Sequence, residues 1–123
     1  MQTKSYNLLS KKLHFKKHKI GIIGLGYVGL PLVKRFLKSG CKKIFGVDND
    51  KNKIKLLQNG KSPIESIKIK YFQKHYTQIS TDYLILSNVD IIIICLPTPL
   101  KSKNKPDLSY LDNCYKNLSK INI

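Results

Sequence analysis

The stretch from Ile20 to Leu32, IGIIGLGYVGLPL, limits the possible folds more than any other part of the chain. A short, β-branched apolar run ends at Ile23, which is the pattern of a strand buried on both faces. Glycines follow at positions 24, 26 and 29. Beyond them Val28, Leu32, Val33, Phe36 and Leu37 recur at helical spacing, and Gly40 ends the run. Pro31 falls in the first turn, where a missing N–H does little harm. A strand feeding a helix through three spaced glycines is the opening unit of a doubly wound sheet.

The rest of the chain keeps that alternation. KKIFGVD reads as a second strand and NDKNKIKLLQNG as a second helix, with Ile54, Leu56 and Leu57 apolar and Gly60 its stop. KSPIES is a turn around Pro63. Ile67–Ile79 predicts a helix around IKIKYFQKHY and then a strand at TQIS. STDYLILSN predicts a short helix capped by Ser80 or Thr81, and VDIIIICLPTP a buried strand running into a proline loop. After the polar loop KSKNKPD, SYLDNCYKNLSK predicts a last helix, with Ser109 and Asp112 as a capping box. The 123 residues, 41% of them hydrophobic, suffice for one domain with a core. Residues 1–18 read as a basic lead-in and residues 19–123 as the domain. The expected fold class is α/β, a Rossmann-type parallel sheet with helices on both faces, truncated before the sheet is complete.

Such sheets bind ligands at the carboxyl ends of their strands. There Gly24 permits the tight turn, Gly26 lets a pyrophosphate approach the backbone, and Gly29 lets the helix pack against the strand. Leu25, Tyr27 and Val28 fill out the loop, and the helix N-terminus offers N–H groups to an anion. Asp48 ends the second strand, at the spacing from the glycines where a carboxylate accepts the hydroxyls of an adenosine ribose and repels a 2′-phosphate. It also reads as a cap for the second helix, and the two roles are compatible; Asp50 is the cap or a solvated residue. Lys53 is either a contact to cofactor phosphates or one surface lysine among many. Thr98, in the Pro97–Pro99 loop, either hydrogen-bonds a ligand or belongs to a strand-ending turn.

The formal net charge of +16 draws phosphorylated ligands in general. Of 23 basic residues only Arg35 is arginine, the residue that nucleic-acid readers favour, so a compositional bias with a solvated surface accounts for the charge better than a polyanion site. Cys41, Cys95 and Cys114 show no metal spacing and suit a reducing cytoplasm, with Cys95 a small core residue. His14, His18 and His75 read as surface or packing residues, and Tyr71, Tyr76, Tyr83, Tyr110 and Tyr115 as half-buried packing. No apolar run is long enough to span a membrane, and no secretory signal is expected. The sequence offers no catalytic residue and no metal site.

Four pieces, IGIIGLGYVGLPL, GVDNDKNKIKLLQNGKSPIE, DIIIICLPTPL and PDLSYLDN, occur in order between Lys19 and Leu118. Together they resemble the N-terminal domain of the UDP-glucose/GDP-mannose dehydrogenases. The resemblance implies NAD as cofactor and a two-step oxidation of a nucleotide sugar's primary alcohol to a carboxylate. It implies Gly24, Gly26 and Gly29 at the pyrophosphate, Asp48 at the ribose, and cofactor contacts from Lys53 and Thr98. KSPIE, with Glu65, matches a segment near the family's cleft, although a structural turn is an equal reading. The family's catalytic cysteine lies in a glycine-rich motif of a later domain, and none of the three cysteines here has that setting. The UDP-sugar would therefore be reached only through domains this chain lacks, with a homo-oligomer or a complementing chain as partner. A non-catalytic nucleotide-binding module or inactive remnant is the alternative.

Overall fold

The computed structural model describes residues 3–14, 17–41, 43–69 and 77–121. Helix α1 (Lys4–His14) precedes strand β1 (Ile20–Ile23), helix α2 (Gly29–Lys38), strand β2 (Ile44–Val47) and helix α3 (Lys51–Gln58). Strand β3 (Thr77–Ser80), a 3₁₀ turn (Tyr83–Leu86), strand β4 (Ile91–Ile94) and helix α4 (Ser109–Leu118) follow. All pairings are parallel, in the order β3-β2-β1-β4, with Ile20 opposite both Ile44 and Ile91. The chain thus leaves β1 in both directions, and the reversal between β1 and β4 opens a crevice at the carboxyl ends of the strands.

Successive residues of a strand face opposite sides. Ile20, Ile22 and Ile44 pack with Leu30, Val33 and Leu37 of α2 and Ile54 and Leu57 of α3. Ile23 and Val47 pack on the other side with Tyr83, Leu86 and Cys114. Both faces are covered, as the apolar strands require. Burying one such side chain fully is worth about 1.5–3 kcal/mol, so these two layers dominate the stability.

Several local expectations give way to neighbouring side chains. Val28, counted in the apolar stripe of α2, is its N-cap and is 63% exposed. Leu56 turns outward from α3. The 3₁₀ turn is capped by Asp82, whose Oδ1 accepts from Leu84 N at 2.9 Å, and not by Ser80 or Thr81. Ser109 is the first residue of α4 and makes no capping box; Asp107 Oδ1 accepts its amide at 3.0 Å instead. Strand β4 is half-exposed along its length because it lies at the sheet edge. Residues 67–69 are not helical, and the remainder of the helix expected there, with Tyr71, His75 and Tyr76, lies outside the described residues.

The basic N-terminal stretch forms a helix that is tied to the sheet. Asp90, just before β4, accepts from Lys12 Nζ at 2.6 Å and from the Lys19 amide at 2.8 Å. Its own amide donates to the Lys19 carbonyl at 2.9 Å, so one residue joins α1, β1 and β4 at the amino end of the sheet. Burial pushes the Asp90 carboxyl up, but the hydrogen bonds from Lys12 and Lys19 outweigh it and hold the group below its usual range. A carboxylate with a lowered folded-state pKa contributes stability that is present above the unfolded value, near 3.9, and is lost as pH falls through the folded one. Lys12 is partly exposed, so screening keeps its share small and the amide bond carries the larger one. We expect Asp90→Ala to cost about 1–2 kcal/mol at neutral pH. In denaturant melts the gap from wild type should close progressively below about pH 4. A gap that stays constant down to pH 2 would show that the carboxylate charge contributes nothing.

A glycine loop and a carboxylate at the carboxyl ends of the strands

The carboxyl ends of β1, β2 and β4 surround a cavity of about 770 Å³. Its first wall is the loop between β1 and α2. Gly24 holds φ at +93°, a conformation that disfavours any side chain, and its amide donates to the Val47 carbonyl at 2.8 Å. A Cβ there would also strike the backbone carbonyl of Cys95. At Gly29 a Cβ would run into the Gly24 carbonyl oxygen, so the helix starts against the strand end only because that position is glycine. Gly26 differs from both: a Cβ there meets no atom within 4 Å. Nothing in the protein itself requires glycine at 26, and the space that a side chain would fill belongs to the cavity. Tyr27 and Val28 line the same wall and are 81% and 63% exposed. Leu25 does not reach the cavity; its side chain is completely buried in the core. The first bond of the following helical turn, from Leu30 N to the Gly26 carbonyl, is 3.1 Å long. The amides ahead of it form the positive end of α2.

The second wall is the turn between β2 and α3. Asp48 Oδ2 accepts from the Leu25 amide at 2.8 Å and from Lys53 Nζ at 3.1 Å, while Oδ1 accepts from the Asp50 amide at 2.9 Å. Its side chain is 12% exposed and that of Lys53 24%, so the ion pair lies in the wall and not on the open surface. Asp48 does not cap α3. Asp50 does, accepting from Asn52 N at 3.0 Å and Lys53 N at 3.1 Å. Of the two neighbouring carboxylates, then, Asp50 takes the capping role that the sequence left open between them.

The third wall comes from the loop after β4 and from α4. Cys95, Leu96 and Pro97 line it, and Thr98 is exposed beyond them. The structure brings together Gly24, Gly26, Tyr27, Val28, Asp48 and Lys53; Leu25 and Gly29 act from behind the wall, and Thr98 stands outside it. Burial pushes the partly exposed Cys95 thiol up, which disfavours its thiolate. Cys41 and Cys114 are buried. Among the described residues no cluster has the makings of a metal site, and no helix is long and apolar enough to cross a membrane.

Two aromatic residues of the cavity had no signal in the sequence. Tyr83 is 8% exposed and lines the floor, and Tyr110, 45% exposed, lines the side. Tyr115, read with them as half-buried, is 74% exposed and stands apart from the cavity. The i, i+4 relation of Tyr110 to the buried Cys114 was the available clue, and using it required knowing which face of α4 meets the sheet.

The arrangement fits a dinucleotide: an open glycine cradle at a helix start, a carboxylate beside it and an apolar wall opposite. A family model described as the UDP-glucose/GDP-mannose dehydrogenase family, NAD binding domain, matches residues 18–122. Protein CapL of Staphylococcus aureus is 35% identical over 105 residues, covering 83% of this chain and 24% of its own length. UDP-N-acetyl-D-glucosamine 6-dehydrogenase of Salmonella typhi is 36% identical over 94 residues, covering 76% and 22%. Among solved structures, a ternary complex of GDP-mannose dehydrogenase from Pseudomonas aeruginosa superposes with a TM-score of 0.73 at 30% identity, over 81% of this chain and 24% of that one. The NDP-N-acetyl-D-galactosaminuronic acid dehydrogenase of Methanosarcina mazei gives 0.77 at 26% identity, over 98% and 28%. The chain spans about a quarter of the length of these relatives. It belongs to the NAD-binding domain of the UDP-glucose/GDP-mannose dehydrogenase family.

Proposed function

We propose that this chain is the cofactor-holding part of a cytoplasmic dehydrogenase that oxidises the primary alcohol of a UDP-sugar to a uronate. Gly26 carries the reading. It is the one glycine of the loop whose missing side chain serves nothing inside the protein, and it opens on the cavity that Asp48 borders. In this reading Gly24, Leu25, Gly26, Tyr27, Val28 and Gly29 form the pyrophosphate cradle. Asp48 takes the hydroxyls of the adenosine ribose and Lys53 makes a further contact, whereas Thr98, expected to do the same, stands outside the cavity. When NAD is bound, its nicotinamide supplies the acceptor for a hydride from the sugar carbon.

The protein's own contribution is to bind and orient. Asp48 is already held by the Leu25 and Asp50 amides, so it meets a ribose without reorganising. Lys53 offsets part of its charge, which softens but does not abolish the rejection of a 2′-phosphate. The thiol that would carry the covalent intermediate, and the sugar-binding surface, lie outside this chain in the proposal. The greater length of the relatives supports that division.

A calorimetric titration tests the reading. The chain should bind NAD⁺ saturably and more tightly than NADP⁺. Asp48→Ala should weaken NAD⁺ roughly tenfold or more, at about 1.5–3 kcal/mol for hydrogen bonds to a charged group. No binding by the folded chain would sink it. With UDP-glucose or UDP-N-acetylglucosamine and NAD⁺, the chain alone should produce no NADH; turnover would place a thiol or its equivalent within these residues.

A second prediction separates the glycines. Gly29→Ala should lower stability by about 1–3 kcal/mol or more, because the helix must move off the strand end. Gly26→Ala should leave the melting temperature within the range of neutral surface changes yet abolish NAD⁺ binding. A Gly26→Ala chain that binds NAD⁺ normally would remove the cradle from the proposal.

A further inference from the structure

Between the loop after β4 and helix α4 the chain makes an arm that the loop-and-carboxylate site does not use. Leu100 bridges Pro106 in antiparallel fashion, and the Lys101 amide donates to the Lys105 carbonyl. The Asp107 amide closes the base by donating to the Pro99 carbonyl at 2.6 Å. At the tip Lys103 and Asn104 hold φ at +63° and +59°, the left-handed region that side chains seldom adopt, so the turn has a definite shape. Lys101, Lys103 and Lys105 are all exposed. Among the described residues the ion pairs are Lys12–Asp90 and Lys53–Asp48, which leaves these three ammonium groups to solvent. The arm's one acid, Asp107, stands at the base and accepts the Ser109 amide at 3.0 Å.

The arm leaves the cavity lining after Pro97 and rejoins it at Tyr110. Its lysines are therefore at most six residues from a lining residue, or about 22 Å of fully extended chain. The lining itself carries Asp48 and Asp50 against Lys53, so an incoming phosphate meets more negative than positive charge there. We propose that the lysine arm is an electrostatic guide that speeds the entry of a dinucleotide's pyrophosphate past these acids to the glycine loop. The inference rests on the cofactor reading above. None of the three lysines lines the cavity, so the arm acts on the approaching ligand and not on the seated one. Charge at the rim of a site raises the association rate and its salt dependence, while dissociation is left to the groups inside.

Stopped-flow mixing with NADH, followed by its own fluorescence, separates association from dissociation. At an ionic strength near 0.01 M, Lys101→Gln/Lys103→Gln/Lys105→Gln should associate about fivefold more slowly, the size Coulomb's law in water gives for three lysines acting on two phosphate charges from about 15 Å. Its dissociation rate should stay that of wild type, and the difference should vanish near 1 M salt, where fields are screened within about 3 Å. Lys11→Gln/Lys17→Gln/Lys43→Gln makes the same change of charge at exposed positions around the amino end of the sheet and should slow association much less. An unchanged association rate in the arm variant overturns the proposal, as does a wild-type rate that ignores salt. Faster dissociation with normal association overturns it too, by making the lysines contacts of the bound ligand. Equal slowing in the amino-end variant assigns the effect to net charge, and the arm then has no special part. No NADH binding by folded wild type overturns the cofactor reading itself, and this inference with it.

Discussion

The hydrogen bond from the Leu25 amide to Asp48, 2.8 Å long, makes one site out of two strand ends. Parallel strands are joined along their length by ladder bonds, but their carboxyl-terminal loops have no such ladder and would otherwise be placed independently. Here the carboxylate that ends β2 accepts from the loop that leaves β1 and from the amide that begins the turn to α3. Both loops are therefore set by one side chain. The same stretch is held from the other side as well, since the Leu25 side chain is completely buried in the core.

The amino end of the sheet uses the same device with a different carboxylate. Asp90 accepts the Lys19 amide at the start of β1 and an ammonium from α1, much as Asp48 accepts the Leu25 amide and the Lys53 ammonium. Strand β1 is pinned to β4 at one end and to β2 at the other. Each pin is small beside the apolar layers, at about 1.5–3 kcal/mol for a charged hydrogen bond against a similar figure for every fully buried isoleucine. What the pins add is register: parallel strands of repeated isoleucine would pack almost as well after a slip, and fixed acceptors at both ends disfavour it.

The alternation of strands and helices was legible because each signal is local. The β-branched runs at Ile20–Ile23 and Ile44–Val47, the glycine stops at positions 40 and 60, and the three-glycine loop need no knowledge of distant residues. The caps failed for a related reason. Ser80, Thr81 and Ser109 are good cap types, but Asp82 and Asp107 are adjacent or near competitors, and a charged acceptor outcompetes a hydroxyl for the same amides. Strand β4 was read as buried because IIII has no polar residue, while its exposure follows from its position at the sheet edge, which composition does not encode. The N-terminal helix was hidden because its anchor, Asp90, is 78 residues from Lys12. The shared place of Tyr83 and Tyr110 in the cavity lining was hidden for the same reason, since they are far apart in the chain.

The charge distribution settles how a chain of net charge +16 can carry a site built around acids. At ionic strengths near 0.15 M the field of the surface lysines decays over about 8 Å, so it draws an anionic nucleotide toward the protein without selecting it. Selection falls to groups within hydrogen-bond distance, and the cavity wall holds two carboxylates against one ammonium. A ligand that brings phosphates alone is attracted by the whole surface and then meets Asp48 and Asp50. One that places its phosphates at the helix start and presents hydroxyls to the carboxylate satisfies both. The same local acidity argues against a nucleic-acid backbone at this cleft, because a continuous phosphate chain cannot keep its charges off the Asp48 wall while threading the glycine loop.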